Sequence, residues 1–174
     1  MSEPTLRLFF ALPCPVEQAA AICAWRDERE LEGRPVPRAN LHLTLAFLGA
    51  QPVDHLQALL ELGATVQAPA FQLNLDRLAT LGKGFVCLQP SATPLALEYL
   101  VAALNERLAA LGVVLDSRPF LPHLTLTRQA RGRQHGPAPT FGWRAEHFVL
   151  YQSQNTSDGV RYLEQGRWPL LAAS

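Results

Sequence analysis

A chain of 174 residues with 48% hydrophobic and 17% charged side chains has room for one domain, or two small lobes sharing a core, and is too apolar to stay disordered. Its 15 basic and 15 acidic residues cancel, which excludes the global basic field expected of a binder of long nucleic acids. Three dispersed cysteines, Cys14, Cys23 and Cys87, with no C-x-x-C between them, exclude a disulfide framework and a zinc knuckle and suit a reducing cytoplasm.

Leu6–Leu12 reads as a first strand, closed by Pro13 and Pro15. Residues 15–32 carry an uneven apolar stripe (Val16, Ala19, Ala20, Ile22, Cys23, Leu31) among charged positions and predict a helix. Gly33–Arg38 is a loop leading into a strand over 41–48, which Gly49 ends. Pro52 sits where a helix over 53–63 starts. Residues 71–76 alternate apolar and polar as a half-buried strand does. A turn at 81–84 returns the chain into a strand at 85–88.

The second half echoes the first. Pro94 opens an apolar helix through Leu111, stopped by Gly112; a strand is expected near 113–116 and a loop runs through Pro119 and Pro122 to another strand. Residues 129–142, rich in Gly and Pro, read as a loop, followed by strands at 145–153 and 160–167 around a turn. Short turns between several strand pairs favour α+β, with antiparallel sheets in two similar lobes, over a parallel α/β sheet.

Two segments say nearly the same thing. Leu41-His42-Leu43-Thr44-Leu45 and Pro122-His123-Leu124-Thr125-Leu126 both contain His-Leu-Thr-Leu, 81 residues apart. From composition alone, two of the five histidines carrying that tripeptide has odds on the order of 10⁻⁵. On an extended strand each segment places His and Thr on one face and two leucines on the other. The leucines suit a core, and the His/Thr faces are two halves of a site. Imidazole changes charge near neutral pH, so one copy can strip a proton from water while the other protonates a leaving oxygen. Each Thr hydroxyl can donate to a non-bridging phosphate oxygen. H-E-x-x-H and Asp-rich loops are absent, so this chemistry is expected to need no metal and no cofactor.

His-x-Thr twice, in a chain of this size, resembles the two-histidine phosphoesterase superfamily and within it the LigT-like RNA 2′,3′-cyclic phosphodiesterases, historically called 2′-5′ RNA ligases. Arg7–Pro13 is similar to that family's opening strand, Asn40–Gly49 to its first signature, and Pro122–Arg128 to its second with the trailing Arg. Leu150–Ser153 and Arg161-Tyr162 also fit. The resemblance implies a bilobal fold over residues 1–174, with pseudo-symmetric antiparallel-sheet lobes and outer helices flanking a central cleft. It implies hydrolysis of RNA 2′,3′-cyclic phosphate ends to 2′-phosphomonoesters, with possible reverse joining of 2′-5′ ends. It casts His42 as proton donor to the departing 3′ oxygen and His123 as proton acceptor from water. Thr44, Thr125 and Arg128 are the expected phosphate-binding residues.

Strict alternation puts Thr127 on the site face and Arg128 on the other, so Arg128 reaches the phosphate only where the strand ends or bulges. His55, His135 and His147 read as solvent-facing or structural. Phe47 shares parity with Leu43 and Leu45 and reads as core. Tyr151 and Tyr162 favour packing over base stacking, and Arg34 and Arg38 read as solvated loop cations. The expected partner is RNA or an oligonucleotide with a cyclic phosphate end, in a cytoplasmic monomer. Two alternatives are a small nucleotide-derived cyclic phosphate as substrate and a binding module without turnover. The start, Met1-Ser2-Glu3-Pro4, has no basic n-region, and no apolar run approaches the ~18 residues a membrane span needs.

Overall fold

The computed structural model describes residues 4–172, so the opening Met1-Ser2-Glu3 lies outside the described residues. The chain runs β1 (Thr5–Pro13), α1 (Val16–Glu28), β2 (Arg34–Pro35), β3 (His42–Pro52), α2 (Leu56–Thr65), β4 (Phe71–Leu81), β5 (Phe85–Gln89), α3 (Leu95–Ala110), β6 (Leu124–Arg128), β7 (Gly136–Ala145), β8 (His147–Thr156) and β9 (Gly159–Pro169), with short 3-10 turns at Arg38–Asn40 and Val53–His55. The fold is α+β. Among the described residues no helix is long and apolar enough to cross a membrane.

The strands line up as β7-β4-β5-β6-β3-β1-β8-β9, with β2 laid beside β6. All the strand pairs are antiparallel, and β3 and β6 meet at a single pair, Leu43 opposite Leu124. That narrow seam divides the sheet into halves of matching order, β3-β1-β8-β9 and β6-β5-β4-β7. Each half places a His-Leu-Thr-Leu strand innermost, after a strand–helix unit: β1-α1 before β3, and β5-α3 before β6.

One face of the sheet is sealed. Leu8, Phe10, Leu12, Leu43, Leu124 and Leu126 join helix residues Ile22, Leu59, Leu100 and Leu104 in one continuous core. The opposite face carries a smaller cluster of Phe9, Ala11 and Val149, backed by Tyr151 and Tyr162. Five successive residues of β1, Leu8 to Leu12, are therefore buried, because both faces of that strand are covered.

Two expected elements differ. No strand forms at 113–116: Val114 is 91% exposed while Val113 and Leu115 lean on the core. The alternation is real, but β6 already has β3 and β5 as neighbours, which leaves that segment no edge to join. Conversely, β7 occupies much of the predicted 129–142 loop. Pro137 and Pro139 sit two apart on the outermost strand of their half, so both missing N–H groups fall on one side of the strand, and an edge strand has a side that needs none.

Candidate active site

The register of β3 against β6 brings the two motifs together. With Leu43 opposite Leu124 in antiparallel pairing, His42 lies across from Thr125 and Thr44 from His123. Both rings are anchored alike: Nδ1 of His42 is 2.7 Å from the carbonyl of Asn40, and Nδ1 of His123 is 2.8 Å from that of Leu121. A carbonyl only accepts, so Nδ1 carries the proton in each ring and Nε2 is left for chemistry. Asn40 is itself fixed, its buried amide donating to the Val160 carbonyl at 3.0 Å.

His42 is walled by aromatic rings. Phe9, Tyr162 and Tyr151 lie 5.0, 5.2 and 6.4 Å from it, centroid to centroid. This burial pushes the His42 pKa down to about 4; the Asn40 carbonyl opposes the shift, and the charges of Arg128 and His123 add to it. At neutral pH the ring is therefore uncharged, and its Nε2 accepts the Thr44 hydroxyl at 3.0 Å.

Each motif strand bulges at its second leucine. β3 pairs Thr44 with Ala11 and Ala46 with Phe10, so Leu45 is the extra residue. β6 pairs Thr125 with Cys87 and Thr127 with Val86, so Leu126 is the extra residue. A bulge reverses the facing of the residues that follow it, until on β3 a second extra residue, Leu48, restores it. Thr127 thereby turns inward, 1% exposed, with its hydroxyl donating to the Glu32 carbonyl at 2.7 Å. Arg128 turns the other way and is exposed, and its charge lowers the pKa of both His42 and Cys87. The strand thus bulges before Arg128, and the strict-alternation placement of Thr127 is overturned. The carbonyl of Leu126 is satisfied by the Val36 N–H at 2.9 Å and by the buried Arg26 at 3.4 Å.

The same shift corrects Phe47, expected in the core and found 53% exposed. It is the fifth residue after His42, as Arg128 is the fifth after His123, so matching bulges present a ring in one half and a guanidinium in the other. A cleft of about 610 Å³ runs between the halves, lined by Thr44, Phe47, Phe85, Phe120, His123 and Thr125 among others.

The chain as a whole is similar to known proteins. A model of the 2′-5′ RNA ligase superfamily matches residues 13–155. The chain belongs to the 2′-5′ RNA ligase superfamily. A superfamily relative from Escherichia coli strain K12, an RNA 2′,3′-cyclic phosphodiesterase, is 38% identical over 175 residues, 98% of this chain and 99% of the relative. A protein of the same description from Thermus thermophilus is 33% identical over 172 residues, 90% of this chain and 86% of its own. Escherichia coli LigT crystallised with 3′-AMP superposes with a TM-score of 0.90 at 34% identity, covering 96% of this chain and 99% of that one.

Within this superfamily member two site neighbours escape sequence reading. Cys87 lies with its Sγ 3.7 Å from the Thr125 hydroxyl, and burial pushes its pKa up to about 11, so it is a neutral thiol. Its counterpart in the other half, beside Thr44, is Ala11. Tyr151 and Tyr162 pack as expected, on Phe9 and against His42. His55 and His135 are exposed, and His147 contacts Arg167 away from the motifs.

Proposed function

We propose that this protein hydrolyses RNA 2′,3′-cyclic phosphate ends to 2′-phosphomonoesters by acid–base chemistry between His42 and His123. The observation that carries the reading is the pairing of two identically anchored imidazoles across one seam, each opposite a threonine hydroxyl. Relatives matched over most of their length are named for that activity.

Thr44, Thr125 and Arg128 hold the phosphate. Their donors face the non-bridging oxygens, where charge grows as water adds. His123 Nε2 accepts the proton of the attacking water, and His42 Nε2 returns one to the departing 3′ oxygen. The neutral His42 of the free protein has to gain its proton on binding. The cyclic phosphate brings a negative charge against a poorly solvated ring, which reverses the desolvation that keeps it neutral. Thr44 then rotates its hydroxyl from His42 to the phosphate. The leaving 3′ oxygen next to His42 places the ribose over β3, and the exposed Phe47 farther along that strand offers a face for the base.

Leaving-group dependence tests the division of labour. His42→Ala is expected to slow an alkoxide-leaving substrate about 10²–10⁴-fold, and a nitrophenolate-leaving one far less, because nitrophenolate departs without a proton. His123→Ala removes the base and slows both alike. Rescue of His123→Ala by the better leaving group exchanges the two roles. Losses of tenfold or less for both variants on both substrates sink the mechanism.

A further inference from the structure

Beyond the phosphate-binding threonines, the face of the first half that carries Phe9 and Ala11 continues along β1 to Arg7. Arg7 pairs with Ser153, Phe9 with Tyr151 and Ala11 with Val149, so Arg7 shares the face that carries the aromatic wall of His42. Its guanidinium lies over the ring of Phe47, 5.4 Å from the centroid. Phe47 in turn lines the cleft. Across β3 and β8 its register neighbours are Ala50 and Ser153, neither of them acidic, and among the described residues no carboxylate pairs with it. An exposed arginine held on an aromatic ring that lines the cleft, with no carboxylate partner among the described residues, is a ready donor to an anion.

The spacing says which anion. Arg7 stands four residues from Ala11, the neighbour of Thr44, or about 13 Å along the strand, and its guanidinium reaches back as far as the ring of Phe47. It therefore stops short of the cyclic phosphate held between Thr44 and Thr125. It is in reach of the next phosphate of a chain whose terminal base lies on Phe47. Phe47 thus separates two phosphate positions, with Arg128 serving the first.

Resting on the proposed activity, we propose that Arg7 binds the phosphate on the 5′ side of the terminal nucleotide, so that the site is built for an RNA end rather than a cyclic mononucleotide. The contact is to phosphate and carries no base information.

Three substrates with the same terminal base separate the possibilities: a nucleoside 2′,3′-cyclic phosphate with a free 5′ hydroxyl, the same compound with a 5′-phosphate, and a dinucleotide ending in the cyclic phosphate. Both substrates with a phosphate on the 5′ side are expected to exceed the first in kcat/KM by roughly tenfold. Arg7→Met keeps the stem over Phe47 and is expected to collapse that ratio toward one. It is also expected to flatten the log–log salt dependence for the dinucleotide by about one. An unchanged ratio in Arg7→Met overturns the inference and leaves the activity standing. So does a gain confined to the dinucleotide, which assigns the preference to the added nucleoside. Failure of all three substrates to turn over overturns the proposed activity itself.

Discussion

At the residue scale the unusual group is His42. Its anchor, the Asn40 carbonyl, favours the charged ring, yet burial among Phe9, Tyr151 and Tyr162 outweighs it and brings the pKa to about 4. A histidine whose folded pKa lies below its unfolded value of ~6.5 takes up protons more readily when unfolded. Its contribution to stability is complete above pH 6.5, declines as pH falls from 6.5 to 4 and is gone below that. The shift bounds the effect at about 3 kcal/mol. Urea unfolding of the wild type is therefore expected to weaken across that window, and His42→Gln to remove most of the slope. Equal slopes in both proteins contradict a neutral, desolvated ring. The same property shapes the kinetics. His42 acts as the acid only when protonated, so the alkaline limb of kcat is expected to follow its pKa in the complex, which the bound phosphate raises by stabilising the imidazolium.

At the scale of elements, the bulges decide what reaches the site. Sequence alternation correctly placed His42, Thr44, His123 and Thr125 on one face and the four motif leucines on the other, because all of them precede the bulge or form it. It failed beyond that point, at Phe47 and Thr127, since one extra residue reverses facing and nothing in Leu45 or Leu126 announces it. β7 escaped because an edge strand tolerates the prolines that argue against a central one. The end of β6 that carries Arg128 is held by a close approach at Gly33. A Cβ there would sit 2.6 Å from the Arg128 carbonyl and 2.9 Å from the Thr127 hydroxyl, with the backbone at φ +108°. Gly33→Ala is therefore expected to cost roughly 1–3 kcal/mol, the range for a strained backbone position. It is also expected to lower kcat more than the lost stability accounts for, because Arg128 moves with its strand. Denaturant unfolding and steady-state rates on the same preparation check both, and a variant with wild-type stability and rate contradicts the packing described.

At the scale of the molecule, the two halves repeat a scaffold and differ where chemistry differs. Phe47 answers Arg128, Ala11 answers Cys87, and the walled His42 answers the more open His123. The duplication of His-Leu-Thr-Leu made the scaffold legible in the sequence, because a repeated strand motif implies a repeated strand environment. The asymmetry was not legible, since it arises from which rings close over His42: Phe9 from β1, and Tyr151 and Tyr162 from strands more than a hundred residues away. The zero net charge fits a cleft that grips one chain end through a few arginines rather than a long track. The most direct test of the account is ³¹P NMR of the product formed from an RNA oligonucleotide with a 2′,3′-cyclic phosphate end, in excess EDTA. Steady conversion to the 2′-phosphomonoester by the wild type is expected. A 3′-phosphate product, or no conversion until a divalent ion is restored, would contradict it.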